Sequence, residues 1–398
     1  MNEKNLNNIL QKILPVYFIA LFVKIAVGTL SQVNFHEGFN IGDWLINYEG
    51  GFTRRGFLGE ILYLLTFVTH VPIQYFLVIF QSLFFFIYFL FSYKLLKMNN
   101  DILKYSLLIF SPFLFTYAVN SMNGGYRKEI VYFSILSYFV YSYLTYDQEK
   151  FRRSTYFILL LYPLVILTDE VGVVILPIIF SLFLNRFPEI KLRSKKFLIF
   201  FGAFSINVLT FILVIIHHRI SRSETYMIYD SILNSGYHPG KIPDAIYFLN
   251  GTLTKNIIDV VNAVKYNSYL SIYALAFSLS MISFIPLWKE IRFIIRNKKL
   301  LFGLLSSTII VIALMCIAVD WGRWIYIFLV ILFFLVIIAD SDSEKKIKIT
   351  EDKCSFISLI NVFFGILFII SYSTFWYMPH FIGGPANISS LFHNIPHF

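Results

Sequence analysis

The chain has 398 residues, 58% of them apolar and only 14% charged, with 45 Phe, 26 Tyr and a formal net charge of +10. Soluble domains carry about 45–50% apolar and about 25% charged residues. This composition therefore excludes a water-soluble globule, a disordered chain and a disulfide-stapled secreted module, and predicts an all-α, polytopic integral membrane protein forming a single transmembrane domain over 1–398.

Helices that cross a bilayer need roughly 17–25 apolar residues, fewer where a span is broken. Such runs stand at about 15–32, 74–93, 104–120, 128–146, 156–168, 171–185, 197–217, 269–287, 301–319, 323–339 and 356–376, which predicts about 11 transmembrane helices. The polar start before the first run has no small-residue cleavage motif, so a retained span is expected there. The short fifth and sixth runs predict a broken hairpin turning at Thr168-Asp169-Glu170. Lys and Arg then set the orientation: 22 fall in one set of loops, ten in the opposite set, and Lys24 lies in the first span. The N-terminus is expected in the cytoplasm and the C-terminus on the periplasmic or external side. The positive charge is thereby assigned to topology, and nucleic acid is not expected as a partner. Cys316 and Cys354 suggest neither a disulfide nor a metal site.

The cytoplasmic loops, each about 16 residues or shorter, are too small for a nucleotide-binding domain, and no Walker or Rossmann glycine pattern occurs. Polar chemistry collects on the opposite face, in a first loop over 33–73, a large loop over 218–268 and shorter turns. In the first loop, Glu49-Gly50-Gly51-Phe52-Thr53-Arg54-Arg55-Gly56 combines glycines that permit close backbone approach with forked donors suited to phosphate. Residues 57–70 are too short to span and predict a helix lying in the interface. Asn123-Gly124-Gly125-Tyr126-Arg127-Lys128-Glu129 repeats the Gly-Gly-then-basic order at a helix start, where N–H groups also favour an anion. Asp169-Glu170 follows an apolar run directly, and adjacent carboxylates at that depth are candidates for proton transfer. In Asp320-Trp321-Gly322-Arg323-Trp324, the acid and base share a helix face, and Trp321 and Trp324 suit either a sugar ring or an interface anchor. Arg219 and Arg222 stand near the start of the large loop. His217, His218 and His238 lack metal-ligand spacing, so no metal and no cofactor is expected. The sequons at Asn250 and Asn387 are uninformative.

In this order, the four motifs resemble those of the bacterial O-antigen and capsular polysaccharide polymerases, the Wzy family. The resemblance implies a polymerase that joins undecaprenyl-diphosphate-linked repeat units at the outer face of the plasma membrane, in lipopolysaccharide or capsule synthesis, alongside membrane lipids and a chain-length regulator. It implies that Arg54, Arg55, Arg127 and Arg323 bind diphosphate, and that Lys128, Gly50, Gly51, Trp321, Trp324, Arg219 and Arg222 also contact the substrate. The acceptor base would be one of Asp169, Glu170, Glu129 and Asp320, with Asp169 or Glu170 favoured by depth and adjacency. Many members show a longer outer loop with further arginines, where this chain has Arg219 and Arg222. Two other readings stand beside it. Asp43 followed by an interfacial helix resembles GT-C-type glycosyltransferases that use polyprenyl-phosphate sugars. A lipid-linked oligosaccharide flippase would instead need polar residues along the spans, which here are mostly Phe, Ile, Leu and Val.

Overall fold

The computed structural model describes residues 3–34, 39–99, 101–217, 219–346, 362–382 and 391–392. His218, Cys354, the Asn387 sequon and the start of the last expected span lie outside them. The described residues contain helices and no strand. Six helices are long and apolar enough to cross a membrane: Asn5–Asn34, Ile73–Lys97, Gln148–Thr168, Lys195–Ile216, Lys298–Ile317 and Trp321–Ser341. A pair bent by 58°, Tyr269–Ile282 and Ile285–Arg296, raises the number to seven if it counts as one span. This is the architecture of a multi-pass membrane protein.

The expected span at 104–120 is instead a series of short turns, Leu103–Tyr105, Ser106–Ile109 and Tyr117–Asn120. The break falls at Ser111-Pro112, where proline removes a helical N–H. Side chains satisfy the carbonyls left over: Thr116 Oγ1 donates to the Ser111 carbonyl at 2.6 Å and Asn120 Nδ2 to that of Pro112 at 3.2 Å. A short apolar helix, Gly56–Thr69, occupies the stretch where the sequence predicts an interfacial one. It buries Leu58, Leu62 and Thr66 and exposes Leu64, Phe67 and Val68, an apolar face for lipid.

The chain divides into two compact units. One comprises residues 24–88 and 126–255. Its helix Gln148–Thr168 contains Pro163, which leaves the Leu159 carbonyl without its helical donor. Asn207, wholly buried in the neighbouring span, donates Nδ2 to that carbonyl at 2.9 Å. Asn207→Leu is therefore expected to cost about 1–2 kcal/mol, read as a lower melting midpoint of the purified protein. An unchanged midpoint would mean that Asn207 is no cap.

The other unit comprises residues 1–23, 89–125 and 256–398. Its span Trp321–Ser341 is 89% buried, so it is a protein-surrounded helix. Asp340 near its end is bonded by Lys104 Nζ at 2.5 Å and by the Tyr105 hydroxyl at 2.7 Å. Lys104 also reaches Glu290 at 3.2 Å.

Candidate functional site

Within the unit of residues 24–88 and 126–255, four stretches of chain meet around Arg55. The helix Gln148–Thr168 ends where Asp169 takes an extended conformation, and the chain re-enters as a 3-10 turn, Glu170–Ile175. Asp169 Oδ1 accepts from the Val171 N–H at 3.3 Å, and the Tyr162 hydroxyl donates to the Gly172 carbonyl at 2.7 Å. Both carboxylates are thus fixed at the end of an apolar helix, where the sequence places a turn.

Arg55 precedes the helix Gly56–Thr69 in the left-handed region, at φ 66°. A non-glycine residue persists there only when its surroundings over-determine it. They do so here. Arg55 Nε and Nη2 donate to Glu170 at 2.9–3.1 Å, and its guanidinium lies 3.5 Å from Asp43 and 3.7 Å from Asp169. Its carbonyl accepts from Lys128 Nζ at 2.6 Å. Arg54 reaches Glu170 through Nη1 at 3.3 Å, with its side chain 23% exposed. Arg54 is the more outward-facing of the two arginines.

The segment carrying Lys128 is held by buried polar side chains. Thr29 donates to Gln81 Oε1 at 2.6 Å, Gln81 Nε2 donates to the Tyr126 carbonyl at 2.8 Å, and Trp44 Nε1 donates to the same carbonyl at 2.9 Å. Arg127 is buried, with its guanidinium 4.0 Å from the centre of the Phe39 ring, a cation–π geometry. Glu129, at the helix start, is buried near enough to Asp169 to bear on its charge.

Electrostatics separate the two adjacent acids. Burial lifts the Asp169 carboxyl to about 7; Arg55 pulls it down, while Glu170, Glu129 and Asp43 add like charge. Burial also works against the Glu170 anion, but Arg55 and Arg54 outweigh it and hold that carboxyl at about 2. Burial brings the Lys128 ammonium down to about 8, opposed by Asp43 and Asp169. A proton acceptor and a proton donor near neutrality thus stand in one cluster. Glu170, ion-paired and acidic, is the poorer base.

The glycines have a different explanation from the phosphate cradle that the sequence suggests. Gly50 lies against the backbone of Glu224, where a Cβ would meet the carbonyl, and Gly51 has φ 107°. Gly124 and Gly125 are likewise closed in, by His380 and Ala118. Trp324 is 2% exposed, so it offers no open face to a sugar. Trp321 donates to the Met315 carbonyl and packs edge-on against Tyr269. Asp320 and Arg323 pair at 2.7 Å, with Arg323 buried. These residues belong to the unit of residues 1–23, 89–125 and 256–398, described above. Arg219 and Arg222 line a separate cavity with Lys255.

Asp43, Lys255 and Tyr162 take part in these arrangements without any mark in the motif spacing. Asp43 enters the sequence reading only through the GT-C alternative. Among the described residues, no three His, Cys, Asp or Glu side chains are grouped so as to hold a metal ion. No protein-family model, curated protein or solved structure matches the chain.

Proposed function

We propose that the chain is a membrane glycosyltransferase that polymerises polyprenyl-diphosphate-linked repeat units, with its site at the outer face of a bacterial plasma membrane. The observation that carries this reading is the Arg55-centred cluster, in which Asp169 stands beside Arg54, Arg55 and Lys128 at the end of an apolar helix. The basic-residue asymmetry of 22 to ten, counted with the broken 104–120 segment as a crossing, supports an N-terminus inside.

In the reaction, the acceptor hydroxyl attacks the anomeric carbon of the growing glycan. The bond from that carbon to the diphosphate oxygen breaks, and the electron pair leaves with the diphosphate. Asp169 takes the hydroxyl proton. Arg54 faces the departing charge, and Lys128, buried with its Nζ on the Arg55 carbonyl, adds positive potential to the cluster without touching the substrate. Arg55 acts through the others: saturated by carboxylates, it positions Glu170 and Asp169. Arg127, Arg323 and Asp320 have no assigned step.

A second reading is single-sugar transfer from a polyprenyl-phosphate donor. It is favoured by Asp43, buried in the first loop 3.5 Å from Arg55. A polysaccharide gel of a deletion strain separates the two. Loss of a polymerase leaves one repeat unit on the lipid core, whereas loss of a sugar transferase changes the unit's composition. Complementation by Arg54→Ala is expected to give no long chains while the protein accumulates normally in the membrane. A full ladder from that variant would refute the assignment.

A further inference from the structure

A cavity of about 630 Å³ opens in the large loop. Arg219, Arg222 and Lys255 line it, together with Tyr247, Phe248 and Asn250, and among the described residues no carboxylate does. The nearest acid in sequence, Glu224, is committed elsewhere: it accepts from the Ser221 N–H in a capping box at the start of the helix Arg222–Asn234. Arg219 donates Nε to the Asn250 carbonyl at 3.2 Å, and Asn250 is in turn held by Thr225 at 2.8 Å. None of the three cations forms an ion pair among the described residues. This is the opposite of the Arg55 cluster, where both arginines pair with acids. An acid-free trio of basic side chains on a fixed loop is built to receive an anion.

Position identifies the anion's class. The apolar span Lys195–Ile216 ends three residues before Arg219, and its last turn exposes Leu213, Ile215 and Ile216. Tyr247 and Phe248 are 54% and 53% exposed at the cavity wall. Apolar helix end, exposed aromatics and basic residues succeed one another as the hydrocarbon edge, the interface and the phosphate layer of a bilayer do. Guanidinium forks match phosphate oxygens. We propose that the cavity formed by Arg219, Arg222 and Lys255 binds the phosphate ester of a membrane lipid, either a bilayer phospholipid or a polyprenyl phosphate. The proposal does not depend on the transfer reaction.

Native mass spectrometry of the full chain in a maltoside detergent tests it, with phosphatidylglycerol, polyprenyl phosphate, diacylglycerol and polyprenol as separate probes. Wild-type protein should retain the phosphate lipids in preference to their neutral counterparts. The combined Arg219→Gln, Arg222→Gln and Lys255→Gln variant should retain them roughly ten-fold less or weaker still. All three side chains are exposed, so the melting midpoint should not move, and Arg222→Gln alone serves as a milder second variant. Stronger retention of polyprenyl phosphate identifies a lipid-linked substrate as the source; equal retention identifies the bilayer headgroup. Undiminished retention by both variants, or equal retention of diacylglycerol and phosphatidylglycerol by wild type, overturns the proposal. Asp169→Asn should retain lipid as wild type does, which keeps this test apart from that of catalysis.

Discussion

Asp169→Asn is expected to lower glycosyl transfer by about 10²–10⁴-fold, the usual contribution of a positioned base, with the protein still present in the membrane. The pH profile carries the sharper information. The base acts only when ionised, so the wild-type rate should rise through about pH 7 as Asp169 loses its proton. It should fall above about 8 as Lys128 loses its charge. Lys128→Gln should lower the rate and remove the alkaline limb. A wild-type profile flat from about pH 6 to about 8 would end the assignment of Asp169 as base. Stability gives a second readout. Folding lifts the Asp169 carboxyl from 3.8 to about 7, so between those values the folded chain keeps a proton that the unfolded chain releases. This contribution is fully present below the lower value and lost as pH rises through the upper one. Asp169→Asn removes that loss, so its stability relative to wild type should climb between about pH 4 and about pH 7 and stay level above.

Arg55→Ala should cost about 3–5 kcal/mol, because it strips Glu170 and Asp169 of a partner while leaving them buried. Arg55→Lys should rescue little, since an ammonium cannot reproduce the fork that grips both Glu170 oxygens. The backbone adds a separate effect. With φ at 66°, Arg55→Gly should be less damaging than Arg55→Ala by about 1 kcal/mol. Arg54→Ala, at a partly exposed position, should change stability by less than about 1 kcal/mol. Chemical unfolding of the purified variants measures all four. Equal losses at positions 54 and 55 would remove Arg55 from the centre of the cluster.

Much of this arrangement is legible in the residues themselves. Apolar length marks the long helices, the short amphipathic run marks Gly56–Thr69, and Asp169-Glu170 after unbroken hydrophobicity marks the end of Gln148–Thr168. The rest depends on neighbours distant in sequence. A hydropathy window averages over Pro112 and so predicts a span where the chain turns. Gly50 looks like a ligand-facing glycine until the backbone of Glu224 is found against it. Arg54 and Arg55 look equivalent as a pair of adjacent cations. They diverge because Glu170, 115 residues after Arg55, takes both of its carboxylate oxygens to that guanidinium. Trp324 reads as an aromatic platform because spacing is blind to the packing that buries it.

The bond between Lys104 and Asp340 joins residues 236 apart, and that between Lys104 and Glu290 residues 186 apart. During synthesis Lys104 is therefore made long before either acid emerges, and its ammonium has to stay hydrated in the interval. Asp340, by contrast, arrives with both of its donors already waiting. This corner of the protein closes late, and a chain cut short before Glu290 carries an unmatched cation that distinguishes it from the finished molecule.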